Sequence, residues 1–188
     1  MSGSRRDSVD GPTRVRAMLR RLLSIATLVA VLLAVPAAAQ TITRIDVPAT
    51  FERQIDRIHA RSSVPILLPS RLPTEEARLY PTGGRSGGGY DLELAAAPDC
   101  GGANACFVAM FTAQRGGEAL GRTRVRLSNG RRGWFTPTGC GASCSPPQIQ
   151  WTERGYLYTI QARVGAVGTE RREITRLANS AILHGPRR

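Results

Sequence analysis

Between Tyr90 and Val164 the apolar positions recur mostly every second residue, the period of a half-buried strand. Toward the two ends, at residues 45–61 and from Thr169 on, they recur with helical spacing. Tyr90, Leu92, Leu94 and Ala96 share one face of a first strand, and Asp91, Glu93 and Ala95 the other. The run Cys106–Ala113 (CFVAMFTA) is apolar on both faces, which places it inside a sheet. Gln148–Thr152 reads as a strand, Glu153-Arg154-Gly155 as a turn, and Tyr156–Val164 as the partner strand. Tyr156, Tyr158, Ile160, Ala162 and Val164 line one side of that partner; Leu157, Thr159, Gln161 and Arg163 line the other.

The stretch Arg122–Trp151 holds a hairpin, a basic strand face, both tryptophans and one cysteine pair. Asn129-Gly130 suits a type I′ turn, in which both central residues need positive φ. A two-residue turn pairs Ser128 with Arg131, Leu127 with Arg132 and Val125 with Trp134. One face then carries Thr123, Val125, Leu127, Arg132 and Trp134, and this is the expected core side. The other carries Arg122, Arg124, Arg126 and Arg131, with Phe135 at its edge: an arginine stripe.

Residues 45–61 (IDVPATFERQIDRIHAR) predict a helix. Pro48 fits its first turn, Asp46 or Thr50 its cap, and Phe51, Ile55 and Ile58 its buried face. Arg53, Asp56, Arg57 and Arg61 fall mostly outside that face, and His59 beside them reads as a solvated surface histidine. The prolines confine Val64–Pro69 and Leu72-Pro73 to an edge or a lead-in strand. Ala77–Tyr80 is a further strand candidate, and Thr82–Gly89 (TGGRSGGG) reads as a loop without phosphate-binding signatures. The last helix starts at Thr169 with Glu170 in its first turn. Ile174, Leu177, Ala178, Ala181 and Ile182 form one apolar stripe, and Gly185 and Pro186 end the helix. His184 sits in its last turn, where a cation suits the dipole.

The elements add up to an α+β fold. It is a mostly antiparallel sheet of about six to eight strands, with an N-terminal and a C-terminal helix packed on one face.

The first 39 residues change the setting. An arginine-containing flank precedes an uncharged run, Leu22–Ala39, that ends in Ala37-Ala38-Ala39. That is the pattern of a secretory signal peptide cleaved before Gln40. The rival reading is an uncleaved membrane anchor; the Ala-x-Ala end and Pro36 favour cleavage. Met18 would itself begin a compact signal peptide. Residues 40–188 are then a single exported domain, periplasmic or secreted, with no stable membrane span. That portion keeps 20 arginines against 12 acids, a charge of +8. Every basic residue is arginine, a bias that GC-rich coding explains, so the basicity is not read as a nucleic-acid signal. It suits anionic surfaces.

Export also decides the reading of the cysteines. Cys100 and Cys106 flank CGGANAC, and Cys140 and Cys144 flank CGASC. Oxidising compartments favour disulfides, and four cysteines permit three connectivities. Local bridges, Cys100–Cys106 and Cys140–Cys144, are expected over cross-links between the two loops. A four-thiolate zinc site is the sharper alternative. The spacing matches no familiar finger, so neither a metal nor a cofactor is expected.

The segments VPILLPSRLP, YDLELAAAPDCGGANACFVAMF, GWFTPTGCGASCSPPQIQW and GYLYTIQAR, with ITRLANSAI, resemble a family of small exported bacterial proteins. The ending, Trp151, then Gly155-Tyr156 to Ile160, then Leu177-Ala178-Asn179-Ser180, is similar to the DUF4367-type domain of envelope-associated bacterial proteins. The resemblance implies the fold and export, and brings no catalytic residues.

Candidates for catalysis are few. Ser86 and Ser180 are possible nucleophiles, but a serine triad needs a base held by an acid, and the histidines of the exported part are His59 and His184. Glu75-Glu76 is a carboxylate pair on an exposed stretch. No catalytic residue is assigned. The expected function is non-catalytic: a binding or interaction domain with Arg122, Arg124, Arg126 and Arg131 as an anion-facing patch. Its partner would be an anionic envelope component or a protein. The alternatives are an ordinary solvated face, with Asp91 and Glu93 pairing the arginines, and a small periplasmic hydrolase.

Overall fold

The computed structural model describes residues 42–166 and 168–187, so the expected leader and its cleavage point lie outside the described residues. The fold is α+β. Seven strands form the main sheet: β3 (Tyr80–Ser86), β4 (Gly89–Ala95), β5 (Phe107–Arg115), β6 (Thr123–Arg126), β7 (Arg132–Thr136), β10 (Gln148–Glu153) and β11 (Tyr156–Ala162). Their spatial order is β3-β4-β5-β11-β10-β7-β6, and every pairing is antiparallel. Two small ribbons accompany it: β1 (Thr43–Asp46) with β2 (Arg71–Thr74), and β8 (Gly139–Cys140) with β9 (Cys144–Ser145). The helices are α1 (Val47–Thr50), α2 (Glu52–His59) and α3 (Glu170–His184). None of the described helices is long and apolar enough to cross a membrane.

Strict alternation gives the sheet two unlike faces. On the inner face one row runs Leu92, Phe111, Ile160, Ile149, Phe135 across five strands, and the next runs Tyr90, Ala113, Tyr158, Trp151, Gly133, Val125. Phe51 meets Phe111 edge-on at 5.9 Å between centroids. The α3 stripe, Ile174, Leu177, Ala178, Ala181 and Ile182, is buried as its spacing predicts and belongs to the same cluster. The outer face carries Asp91, Thr112, Thr159, Gln150, Trp134 and Arg124 in one row. Residues 116–122 cross this face to join β5 to β6. Gly117 and Gly121 permit the close approach: a Cβ there would lie 2.9 Å from Leu157 Cβ and 2.4 Å from Trp134 Cβ.

Three sequence expectations are corrected by the structure. The predicted helix over 45–61 begins two residues later. Residues Thr43–Asp46 pair with β2 instead, and Asp46 then caps α1 by accepting from Ala49 N–H at 3.0 Å. The glycine-rich stretch is a strand, not a loop. β3 runs to Ser86, Gly87-Gly88 make the turn with φ of 52° and 80°, and a Cβ on Gly89 would sit 1.6 Å from Ala113 O. Ala77–Leu79 form no strand.

The apolar run after α2 is held by two phenols. Tyr90 Oη donates to Leu67 O at 3.1 Å and accepts from Leu67 N–H at 3.2 Å; Tyr158 Oη donates to Pro65 O at 3.0 Å. Burial, above all, pushes both phenols above their ordinary range. Both disulfides are the local ones, Cys100–Cys106 with 5.7 Å between Cα atoms and Cys140–Cys144 with 4.0 Å. Asn104 Nδ2 donates to Ser143 Oγ at 3.1 Å and so ties the two loops together.

Candidate functional site

The hairpin β6–β7 forms with a register one residue away from the predicted one. Arg126 faces Arg132, Val125 faces Gly133, Arg124 faces Trp134 and Thr123 faces Phe135. The loop therefore has three residues, Ser128–Gly130, with Asn129 and Gly130 both at positive φ and Leu127 N–H donating to Arg131 O at 2.9 Å. A one-residue shift moves every side chain of β7 to the opposite face. Phe135 turns inward and is buried, whereas Trp134 and Arg132 turn outward. Gly133 makes the inner face passable, since a Cβ there would lie 2.8 Å from Leu127 Cδ1.

The arginine stripe changes membership as a result. Arg122, Arg124 and Arg126 are exposed, and Arg132 joins them. Arg131 leaves the stripe: its Nη2 lies 2.5 Å from Glu153 Oε1, and its side chain is only 26% exposed. Asp91 and Glu93 do share the outer face, but β4 is five strands from β6, roughly 24 Å at the usual spacing. They are too distant to neutralise the arginines. Among the described residues, Arg122, Arg124, Arg126 and Arg132 make no ion pair.

Helix α3 adds charge that the strand pattern did not reveal. A cleft of about 680 Å³ between β6 and α3 is lined by Arg126, Arg171, Arg172, Thr175, Arg176 and Asn179. A second depression of about 580 Å³ lies among Arg124, Arg126, Arg131 and Arg132. Glu173 on α3 engages two of the cleft arginines: Arg172 reaches it at 3.1 Å and Arg176 at 2.9 Å. Partial burial pushes its carboxyl up, but the two guanidiniums prevail and hold it below the ordinary range. Arg172, Arg176 and Asn179 lie at i, i+4 and i+7, so the stripe was visible in the sequence; its position beside β6 was not.

The other candidates are dispersed. Ser86 is exposed at the end of β3. Glu75 and Glu76 line a groove of about 600 Å³ with Glu170, Pro146, Pro147 and Val164. His59 is not a solvated side chain, because its Nε2 lies 2.9 Å from Arg187 O. His184 does more than face the dipole: its Nδ1 is 2.8 Å from Ser180 O, and its ring approaches Ser70 Oγ at 3.1 Å. Ser70 Oγ also meets Ser180 Oγ at 3.2 Å, and Ser70 N–H donates to Ser180 Oγ at 3.0 Å. Spacing could not find Ser70, which lies 110 residues from Ser180.

No protein family, curated protein or solved structure matches the chain. The site is read from its geometry.

Proposed function

We propose that this chain is an exported, non-catalytic binding domain whose basic sheet edge receives an anionic envelope component or acidic protein. Both long helices, α2 and α3, cover the inner face in this reading and leave the β6 edge free. One observation carries it. Guanidiniums converge on this edge from two elements, Arg124, Arg126 and Arg132 from the hairpin and Arg171, Arg172 and Arg176 from α3. Among the described residues the ion pairs here are Glu173 with Arg172 and Arg176, and Glu153 with Arg131, which leave Arg124, Arg126 and Arg132 unpaired. Like charges held together at a surface raise the local potential and attract anions. The disulfides support a domain built for an oxidising compartment, periplasmic or extracellular.

The test is retention of residues 40–188 on heparin or on anionic vesicles at low salt. Replacing Arg122, Arg124, Arg126 and Arg132 with Ser should abolish it, and unchanged retention would dismiss the patch.

A small hydrolase is the second reading, and the Ser70–His184 contact favours it. If Nδ1 donates to Ser180 O, then Nε2 is left to accept from Ser70. Against it, the Ser70 N–H is already held by Ser180 Oγ, so it is not free to stabilise an oxyanion. Labelling of Ser70 by a fluorophosphonate would favour the hydrolase.

A further inference from the structure

The backbone of β6 narrows the class of anion. In an antiparallel pair, close hydrogen-bonded pairs alternate with open ones. Leu127 is in a close pair with Arg131, so Val125 and Thr123 also turn their peptide groups toward β7. Arg124 and Arg126 therefore present their peptide N–H and C=O outward, at the rim of the sheet. None of the described residues hydrogen-bonds to these groups.

The opposite rim is guarded. Pro81 on β3 has no N–H, and its carbonyl already accepts from Gln54 Nε2 at 2.8 Å. At β6 there is no proline, and among the described residues no side chain hydrogen-bonds to the rim. Its two sides differ in geometry and agree in charge: Arg124, Arg126 and Arg132 stand on the outer face, and Arg172 and Arg176 border the cleft on the inner side.

We infer that β6 accepts an extended acidic segment of a partner protein as an eighth strand of the main sheet; this rests on the anion-binding reading above. Peptide groups of the segment pair with Arg124 and Arg126. Its side chains alternate, one set lying over the outer arginines and the other entering the cleft beside α3. Polysaccharides and phosphate polymers satisfy the guanidiniums but cannot complete a ladder. The same arginines set like charge against like when two copies approach through β6, so the rim rejects self-association while inviting an acidic chain.

The experiment uses residues 40–188 and two probes read by fluorescence anisotropy at low salt. One is a labelled peptide alternating Glu and Val over eight residues; the other is the same peptide N-methylated at every internal residue. Heparin retention is measured in parallel. Strand addition predicts that N-methylation weakens binding at least tenfold, and that the bound peptide slows hydrogen exchange at the Arg124 and Arg126 amides. Equal binding of the two peptides overturns strand addition and leaves anion binding standing. Heparin retention without peptide binding does the same. Loss of both peptide binding and heparin retention overturns the two proposals together.

Discussion

Asn179 on α3 accepts a hydrogen bond from the backbone N–H of Ser128, at 2.7 Å. This contact ties the β6–β7 loop to the helix 51 residues away and accompanies the three-residue loop that sets the register. Asn179→Ala should cost about 1 kcal/mol in urea unfolding.

Gly133→Ala tests that register directly. The added methyl enters the inner face against Leu127 and should destabilise by about 1–3 kcal/mol. In the two-residue-turn register the same methyl would point to the outer face, and stability would hardly change. Unfolding midpoints of the variant and the parent decide between them.

Arg131 and Arg124 should behave as opposites. Glu153 is 12% exposed, so Arg131→Ser leaves a largely buried carboxylate without its hydrogen-bonded partner and with only the more distant Arg154, at 3.9 Å. A loss of about 1–3 kcal/mol is expected, with little change in heparin retention. Arg124→Ser should leave the unfolding midpoint in place and weaken retention.

Tyr90→Phe removes one hydroxyl and strands two peptide groups of Leu67, one a donor and one an acceptor. Denaturant unfolding should show a loss of about 1–3 kcal/mol. Tyr158→Phe strands only Pro65 O and should cost less.

Burial pushes the Asp91 carboxyl above its ordinary value. The folded state then holds this proton more tightly than the unfolded chain. Stability falls as pH rises from the unfolded value through the folded one, and the penalty is complete above it. Asp91→Asn should therefore raise the unfolding midpoint at neutral pH, and the gain should shrink as the pH is lowered below the ordinary aspartate range. An equal gain at both pH values would contradict this account.

Each disulfide closes a short loop outside the main sheet, of sequence separation 6 and 4. Loop entropy assigns each about 2 kcal/mol. Reduction should lower the urea midpoint without abolishing the cooperative transition, because Tyr90, Phe111, Ile149 and Trp151 stay packed.

Alternation was enough to place β4, β5, β10 and β11 and the stripe of α3, because each pattern recurs over several residues and tertiary packing reinforces it. It failed where one tertiary contact outweighs local preference. Asn129-Gly130 has the dihedral signs of a tight turn, yet the loop holds a third residue, and that single residue exchanged Arg131 for Arg132 in the candidate patch. Two-residue turns with both φ positive occur instead at Gly87-Gly88, with Ser86 facing Gly89, and at Arg154-Gly155, with φ of 52° and 78° and Glu153 facing Tyr156. Gly83 and Gly84 hid a strand because glycine reads as loop, whereas Gly83 is there for clearance: a Cβ on it would lie 2.1 Å from Asp91 O. Ser70 and the α3 arginines were legible as residues, but what they face depends on strand order, which no local pattern encodes.

That order has a consequence for biogenesis. The central position of the sheet is taken by β11, the last of its seven strands in chain order, lying between β5 and β10. A nascent chain that ends before Tyr156 owns two hairpin assemblies with nothing to join them, and its inner surfaces have no common core. Closure of the sheet must wait for β11, whose pairings with β5 are all long-range in sequence, so the entropy of loop closure is met late and folding of the sheet is slowed by its own topology.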